Sequence, residues 1–322
     1  MPDQEATIPG PSVEVVDRLL TRHLPEWRGL PVAPLGEGED NAAFVVGGAL
    51  VVRCNTHPEP EERSRRVLRE ARLLRVVATA SPLPVPVPRL VEAHDGCLAY
   101  DRLPGRPLLG LDLDRRDATW LGAALGDLIA ALSRLPVERM AELAGVDDTP
   151  PAEWLAETRD LFPQLAAAVP DRHLPAVLAF LDADPPPPAD QLCFAHNDLG
   201  IEHVLLDPDT WAITGILDWG DAAVTDPARD LGLILRDLGS SGLDAALTAC
   251  GDIPGLDRRR IGFFARCALL EDVAYGLEQS RPAYVTNSLR ALQWLFPAHE
   301  PAGASVAGIA RPRSDGSTRS DR

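Results

Sequence analysis

Four residues in one stretch of the chain could do chemistry together: His196, Asp198, His203 and Asp218, all within CFAHNDLGIEHVLLDPDTWAITGILDWGDAAVTD, residues 193–226. Carboxylates and imidazoles are the side chains that move protons near neutral pH or hold a cation, so their crowding into one short segment invites a functional reading. The spacing says how they could meet. VLLD (Val204 to Asp207) and ITGILD (Ile213 to Asp218) are apolar runs of strand length, joined by the turn formers Pro208, Asp209 and Thr210, which predicts a hairpin. One polar loop enters that hairpin at Asp198 and another leaves it at Asp218. A carboxylate therefore sits at each open end on neighbouring strands, and both can face one cleft.

The rest of the chain must supply that cleft. With 322 residues the expectation is two lobes, and 45% hydrophobic with 25% charged residues is the balance of a soluble globular protein. No apolar run approaches the roughly 18 residues that span a bilayer. The opening MPDQEATIPG has no basic-then-apolar pattern, so a cytoplasmic location is expected. A net charge of −17 argues against nucleic-acid and anionic-membrane partners and suits a cationic small molecule. The chain contains no lysine, so any fixed cation must be an arginine. The five cysteines (Cys54, Cys97, Cys193, Cys250, Cys267) are scattered and lack a CxxC pair, which favours buried thiols over disulfides or a zinc site.

Along the chain, residues 1–10 read as a loose tail and Ser12 as a helix start. LGEGEDNAAFVVGGALVVRCNT reads as a glycine-rich turn (Gly36, Gly38), a strand over Ala43 to Val46, and a second strand over Leu50 to Cys54. Glycines at such a turn let backbone approach a phosphate, although a plain hairpin needs them equally. Residues 59–79 carry Val67, Ala71 and Leu74 at helical spacing, with Glu70 bordering that stripe. Prolines at 82, 84, 86 and 88 demand an extended edge. A strand over Cys97 to Asp101 then breaks at Pro104 and Gly105, the expected lobe boundary. Beyond it Leu121, Leu125, Leu128, Leu132 and Leu135 predict a core helix. After the linker DADPPPPAD and the acidic hairpin come a helix over PARDLGLILRDLG, another carrying Phe263, Cys267, Leu270, Ala274 and Leu277, and a last one over 282–296. The composition of the tail predicts disorder.

This order, a small β-rich lobe, a hinge and a mostly helical lobe whose hairpin bears the acids, is that of a kinase. HNDLGIEHVLLD followed by GILDWGDAAVTDPARDL resembles the paired signatures of the aminoglycoside phosphotransferase family, HxDxxxxN and IDWGDAxxGDPxxDL. The resemblance implies an α+β, two-lobed protein-kinase-like fold: a nucleotide-binding lobe over 1–103, a catalytic and substrate-binding lobe over 104–300 and a tail over 301–322. It implies transfer of the γ-phosphate of ATP or GTP, with Mg²⁺, to a hydroxyl of a small molecule, most simply an aminoglycoside, by a monomer. Asp198 then corresponds to the catalytic aspartate that orients the acceptor hydroxyl and takes its proton. Asp218 corresponds to the metal aspartate, and His196 to the histidine that braces the loop.

His203 stands where most of the family has Asn as second metal ligand, and imidazole is a poorer partner for Mg²⁺ than oxygen. The branch that phosphorylates the 2″ hydroxyl is similar to this sequence in carrying HNDxxxxH. Arg53 follows a strand where kinases place the phosphate-binding lysine, and Glu70 takes the place of its helix partner. Gly36 and Gly38 fall at the nucleotide loop, made acidic here by Glu37, Glu39 and Asp40. Leu98 to Leu103, including Tyr100, Asp101 and Leu103, should meet the nucleobase. Asp221, Asp237 and the stripe Glu271, Tyr275, Glu278 should face a cationic acceptor. Two rivals stay open: a kinase of another hydroxylated compound (a macrolide, peptide antibiotic or metabolite), and a nucleotide-binding pseudokinase suggested by Arg53, His203 and the acidic loop.

Overall fold

A computed structural model describes residues 11–38 and 40–298. The expected tails at 1–10 and 301–322, Glu39 and the Glu37 side chain lie outside the described residues. Helix α1 (Val13–His23) precedes the strands β1 (Val32–Glu37), β2 (Asn41–Val46) and β3 (Leu50–Asn55). Helix α2 (Pro60–Ala80) follows, and then β4 (Pro88–Glu92) and β5 (Cys97–Asp101). The five strands form one antiparallel sheet in the order β1-β2-β3-β5-β4. Strand β1 was not foreseen, because Pro34 and Gly36 break its pattern; as an edge strand with a bulge at that point it tolerates both. One face of the sheet and α1 share a core of Val16, Leu19, Leu20, Phe44, Val46, Leu50 and Val52.

That core also holds a correction to the thiol expectation: Cys54 and Cys97 form a disulfide. The two are separated by 43 residues, and the distance in sequence argued against pairing. They nevertheless stand directly opposite each other in the β3–β5 ladder, with Cα atoms 4.0 Å apart. Cys193, Cys250 and Cys267 are buried thiols, as expected.

The chain leaves the sheet after Asp101 and enters a second, three-stranded one through β6 (Arg106–Pro107), which pairs with β8 (Val204–Leu206) beside β9 (Ile213–Ile216). Gly105 makes this entry with φ +100°. A Cβ there would come within 2.5 Å of Thr214 Oγ1 and 2.7 Å of the Leu206 carbonyl, so only glycine fits. The acidic hairpin is thus real, and the hinge is stitched to its first strand, β8. The other short ladder joins β7 (Cys193–Ala195) to β10 (Ala223–Thr225).

Helices α3 (Arg115–Ser133), α4 (Val137–Ala144), α5 (Pro151–Leu165), α6 (Leu174–Asp182), α7 (Arg229–Cys250), α8 (Arg258–Glu278) and α9 (Pro282–Leu295) make up the large lobe. The predicted leucine stripe of α3 is buried, and the helix opens with a capping box between Asp114 and Asp117. It meets α7 with no room for side chains: a Cβ on Gly122 would lie 2.1 Å from the Gly242 carbonyl oxygen. Helix α7 begins at Arg229, two residues after the expected proline start, with Asp226 Oδ1 accepting the Ala228 N–H at 2.9 Å. Nor does it end at Gly239. That residue breaks the helix at φ +68°, and the helix resumes to Cys250. Leu277, expected on the buried stripe of α8, is 44% exposed.

Helix α2 belongs to both lobes. Its C-terminal half places Leu73, Leu74 and Val77 in the large-lobe core, while the helix also lies along β3, β4 and β5. Glu70, one turn earlier, is therefore held at the seam. Among the described residues no single helix is long and apolar enough to cross a membrane.

Candidate active site

The loop after β7 is held from beneath by one carboxylate. Asp230, fully buried in the first turn of α7, accepts the backbone N–H of His196 and of Asn197, each at 2.9 Å. His196 is itself buried, packs its ring 4.5 Å from that of Trp219, and hydrogen-bonds through Nε2 to the Leu217 carbonyl at 2.8 Å. It thus ties the loop carrying Asp198 to the residue before Asp218. Asn197 and Asp218 both have positive φ (69° and 57°), a conformation uncommon outside glycine. Such backbone persists where surrounding contacts over-determine it. At Asn197 the side-chain amide supplies them, donating to Asp147 Oδ2 at 3.1 Å and to the Asp221 carbonyl at 3.0 Å.

Asp198 and His203 form an ion pair, Oδ2 to Nε2, of 3.0 Å. Burial opposes charge on both, but each outweighs it for the other: Asp198 is held down to about 2, and His203 is raised to about 9 by Asp198 with help from Glu202 and Asp218. The His203 imidazole is turned to Asp198, and its neighbour Glu202 joins them, with donor atoms of all three within 4.8 Å of one another. Asp218 instead meets Arg53.

Arg53, on β3, reaches Glu70 on α2 (Nη1 to Oε1, 2.8 Å) and Asp218 (Nη2 to Oδ1, 3.1 Å). Burial would weaken this guanidinium's charge, but the two carboxylates more than restore it. Glu70 is pushed up by burial and drawn back by Arg53. One arginine fork therefore fixes sheet, helix and metal-segment aspartate at once. Around it, Tyr100 on β5 is pushed up to about 12 by burial. Gly36 closes β1, and Gly38 donates its N–H to the Asn41 carbonyl at 2.9 Å. Asp40 pairs with Arg66 at 3.0 Å. Asp101 gives its carboxylate to Arg89 at 2.6 Å, so its side chain faces the sheet edge. Leu103 lies against Gly215, where a Cβ would be 2.7 Å from Leu103 Cδ1.

Asp198 also lines a second cleft, together with Asp147, Asn197, Asp221 and Arg229 and with Trp154, Phe264, Glu271 and Tyr275. Arg229 pairs with Asp147 at 3.0 Å and stacks 4.0 Å over the Trp154 ring. Burial raises Glu271 to about 7, a shift that Arg229 and Arg236 only partly offset. Asp221 is raised too, first by burial and then by Asp198 and Asp218. Asp237 is a correction. It is 2% exposed, and its carboxylate accepts from Arg236 twice at 2.9 Å, from Asn287 at 2.8 Å and from the Ile201 N–H at 3.2 Å. A carboxylate so fully bonded braces the loop that carries Asp198 and has nothing left for an acceptor. Glu278, at the exposed end of α8, does not line the cleft.

Glu202, Asp147, Trp154, Arg229, Arg236 and Asp272 were not foreseen from the sequence. Arg229 and Glu202 lie inside the two motifs, and their charge was a usable signal; Asp147 and Trp154 come from an irregular helical region with none.

Two lobes, an arginine–glutamate pair joining sheet and helix, and two loop carboxylates across a hairpin define a kinase-like phosphotransfer fold. A family model, the phosphotransferase enzyme family, matches residues 31–264, and the chain belongs to that family. Among characterised proteins it is similar to the aminoglycoside 3′-phosphotransferase of Streptomyces fradiae, with 32% identity over 164 residues, 48% of this chain and 59% of that protein. It is similar also to the streptomycin 3″-kinase of Streptomyces griseus, with 26% identity over 178 residues, 52% of this chain and 65% of that one. The matches thus span less than two thirds of either relative. Among solved structures, the GDP and kanamycin complex of APH(2″)-IIIa shares the fold at TM-score 0.63 and 21% identity, over 86% of this chain and 97% of that one. The macrolide 2′-phosphotransferase MphH of Brachybacterium faecium shares it at TM-score 0.56 and 24% identity, over 90% and 100%.

Proposed function

We propose that this protein transfers the γ-phosphate of ATP or GTP to a hydroxyl of a cationic small molecule, with an aminoglycoside as the favoured acceptor. The observation that carries the reading is the position of Asp198, between the Arg53–Glu70–Asp218 cluster and a second cleft rich in carboxylates. Asp198 orients the acceptor hydroxyl and accepts its proton; the nearly dissociative transfer asks for placement more than for a strong base, which suits a carboxylate held at about 2. Arg53 binds the donor phosphates, and Gly36, Gly38, Tyr100 and Leu103 surround the nucleotide. Asp101 contributes backbone only. Asp221 and Glu271 receive the acceptor's ammonium groups.

The donor set suits a divalent cation: Asp218 offers hard oxygens, His203 an imidazole nitrogen, and Glu202 holds a buried carboxylate oxygen with no hydrogen-bond partner. Bound there, Mg²⁺ would neutralise charge on the nucleotide phosphates. His196 holds the loop that presents Asp198.

Incubation with Mg²⁺, each nucleotide and a panel of acceptors should give one aminoglycoside heavier by one phosphoryl group in the mass spectrum. No gain on any aminoglycoside removes the favoured acceptor. A macrolide is the second reading, supported by the wall of Trp154, Leu233 and Phe264, which offers apolar surface to a large lactone.

A further inference from the structure

Beyond its suitability as a cation donor, Glu202 takes no part in the proton and phosphoryl steps outlined above, yet it is placed at some cost. Its Oε2 is shielded from solvent and accepts no hydrogen bond. An unmet buried carboxylate oxygen is expensive. The nearest cation is Arg236 Nη2 at 3.6 Å, and that guanidinium is already engaged by both oxygens of Asp237 and, at 2.9 Å, by Asp272. Asp198, Glu202, Asp237 and Asp272 are four carboxylates; facing them are one guanidinium, Arg236, and one imidazole, His203. The pocket is short of positive charge.

The backbone makes room for this arrangement. The Glu202 carboxylate folds back over Gly200, where a Cβ would stand 2.4 Å from both of its oxygens. Any other residue at 200 would drive the carboxylate away. So placed, it brings a donor atom within 4.8 Å of those of His203 and Asp198. His203 occupies the position where an oxygen ligand would suit a hard cation better than nitrogen does.

We propose that Glu202 is a direct oxygen ligand of a divalent cation at the end of the catalytic loop, which it shares with His203. The carboxylate supplies the hard donor that the imidazole lacks and brings the negative charge the ion requires, while Asp198 stays available to the acceptor hydroxyl. This rests on reading the catalytic loop as the place where the nucleotide's cation is held, but it needs no turnover.

The test is Mn²⁺ binding, followed by loss of the free-ion electron paramagnetic resonance signal with ADP present, on wild type, Glu202→Gln and Gly200→Ala, alongside thermal unfolding of each. Glu202→Gln should weaken Mn²⁺ binding about tenfold or more, on the scale known for shells around a metal. Gly200→Ala should do the same by displacing the carboxylate, and it keeps the question open to measurement if the glutamine variant does not fold. Mn²⁺ affinity within twofold of wild type in both variants overturns the proposal, as does wild type that binds no Mn²⁺. A lower unfolding temperature with unchanged Mn²⁺ affinity also overturns it and assigns Glu202 to Arg236 alone. Because no acceptor enters the assay, a protein that phosphorylates nothing but loses Mn²⁺ on these substitutions retains the cation site and loses only the transfer reading.

Discussion

The two sides of Asp198 are built on different plans. On the proposed nucleotide side, Arg53 reaches Glu70 at 2.8 Å and Asp218 at 3.1 Å, and each of the three comes from an element whose identity fixes its neighbour: a strand, a helix stripe, a hairpin exit. On the proposed acceptor side the charged groups come from the α4–α5 connection, the β9–β10 loop, α7 and α8, and two of them, Asp221 and Glu271, form no ion pair with an arginine among the described residues. Under the proposed function, a site for one unchanging ligand can satisfy itself in that ligand's absence, whereas one that selects among acceptors keeps its charges open, at the cost visible in the raised pKa values of Glu271 and Asp221.

The largest effect expected is at the residue the two sides share. Asp198→Asn keeps the shape but cannot take a proton and gives up its charge toward His203, so kcat should fall by roughly 10³-fold. Circular dichroism should show the fold unchanged. A variant with full kcat on an identified acceptor would remove Asp198 from the chemistry.

Next comes the nucleotide side. Arg53→Lys retains one positive charge but presents its N–H donors from a single nitrogen, and so loses the planar fork whose two nitrogens reach Glu70 and Asp218 separately. The nucleotide KM should rise about tenfold, and the acceptor KM should hold. Should the acceptor KM move instead, the two sides are not separate.

What could be read from the chain follows the same division. The hairpin, Asp198, Asp218, the bracing role of His196 and the Arg53–Glu70 placement were legible because each depends on local period or on a compact motif. The second cleft was legible only in part: Asp221, Glu271 and Tyr275 were expected in it, whereas Asp147, Trp154 and Arg229 come from separate elements whose meeting is a tertiary fact. The disulfide was missed for the same reason: Cys54 and Cys97 are neighbours only after α2 and β4 have folded back between them. Asp237 misled in the opposite direction. A carboxylate on a helix of the large lobe looked available, and nothing in its spacing announced that Arg236 beside it points inward, 2% exposed.

The open charge of Glu271 predicts a smaller, pH-dependent effect. With its carboxyl raised to about 7 by burial, it is mostly protonated at pH 6 and mostly ionised at pH 8, and only the ionised form attracts an ammonium. Acceptor affinity should therefore strengthen with rising pH, by roughly tenfold across that interval. For stability the sign reverses. A carboxyl raised in the folded state favours folding less once pH climbs above its unfolded value, and the loss is complete above about 7. Glu271→Gln should flatten the acceptor-KM profile and leave the nucleotide KM unchanged; a profile as steep as that of wild type would show that the titrating group is another.

Asp237→Asn should change acceptor binding least of all, and that is its use. An asparagine can still accept hydrogen bonds, but it leaves Arg236 with a neutral neighbour in a site that water does not reach, and removing one charge from a buried ion pair is strongly destabilising. The expected result is a lower unfolding temperature with an acceptor KM within about twofold of wild type, because a bracing residue acts on the population of folded enzyme and not on the cleft. If the acceptor KM rises as far as it does for Glu271→Gln, then the network of Arg236, Asp237 and Asp272 opens to the acceptor in solution. The contrast would then lie between charges met before binding and charges met by it.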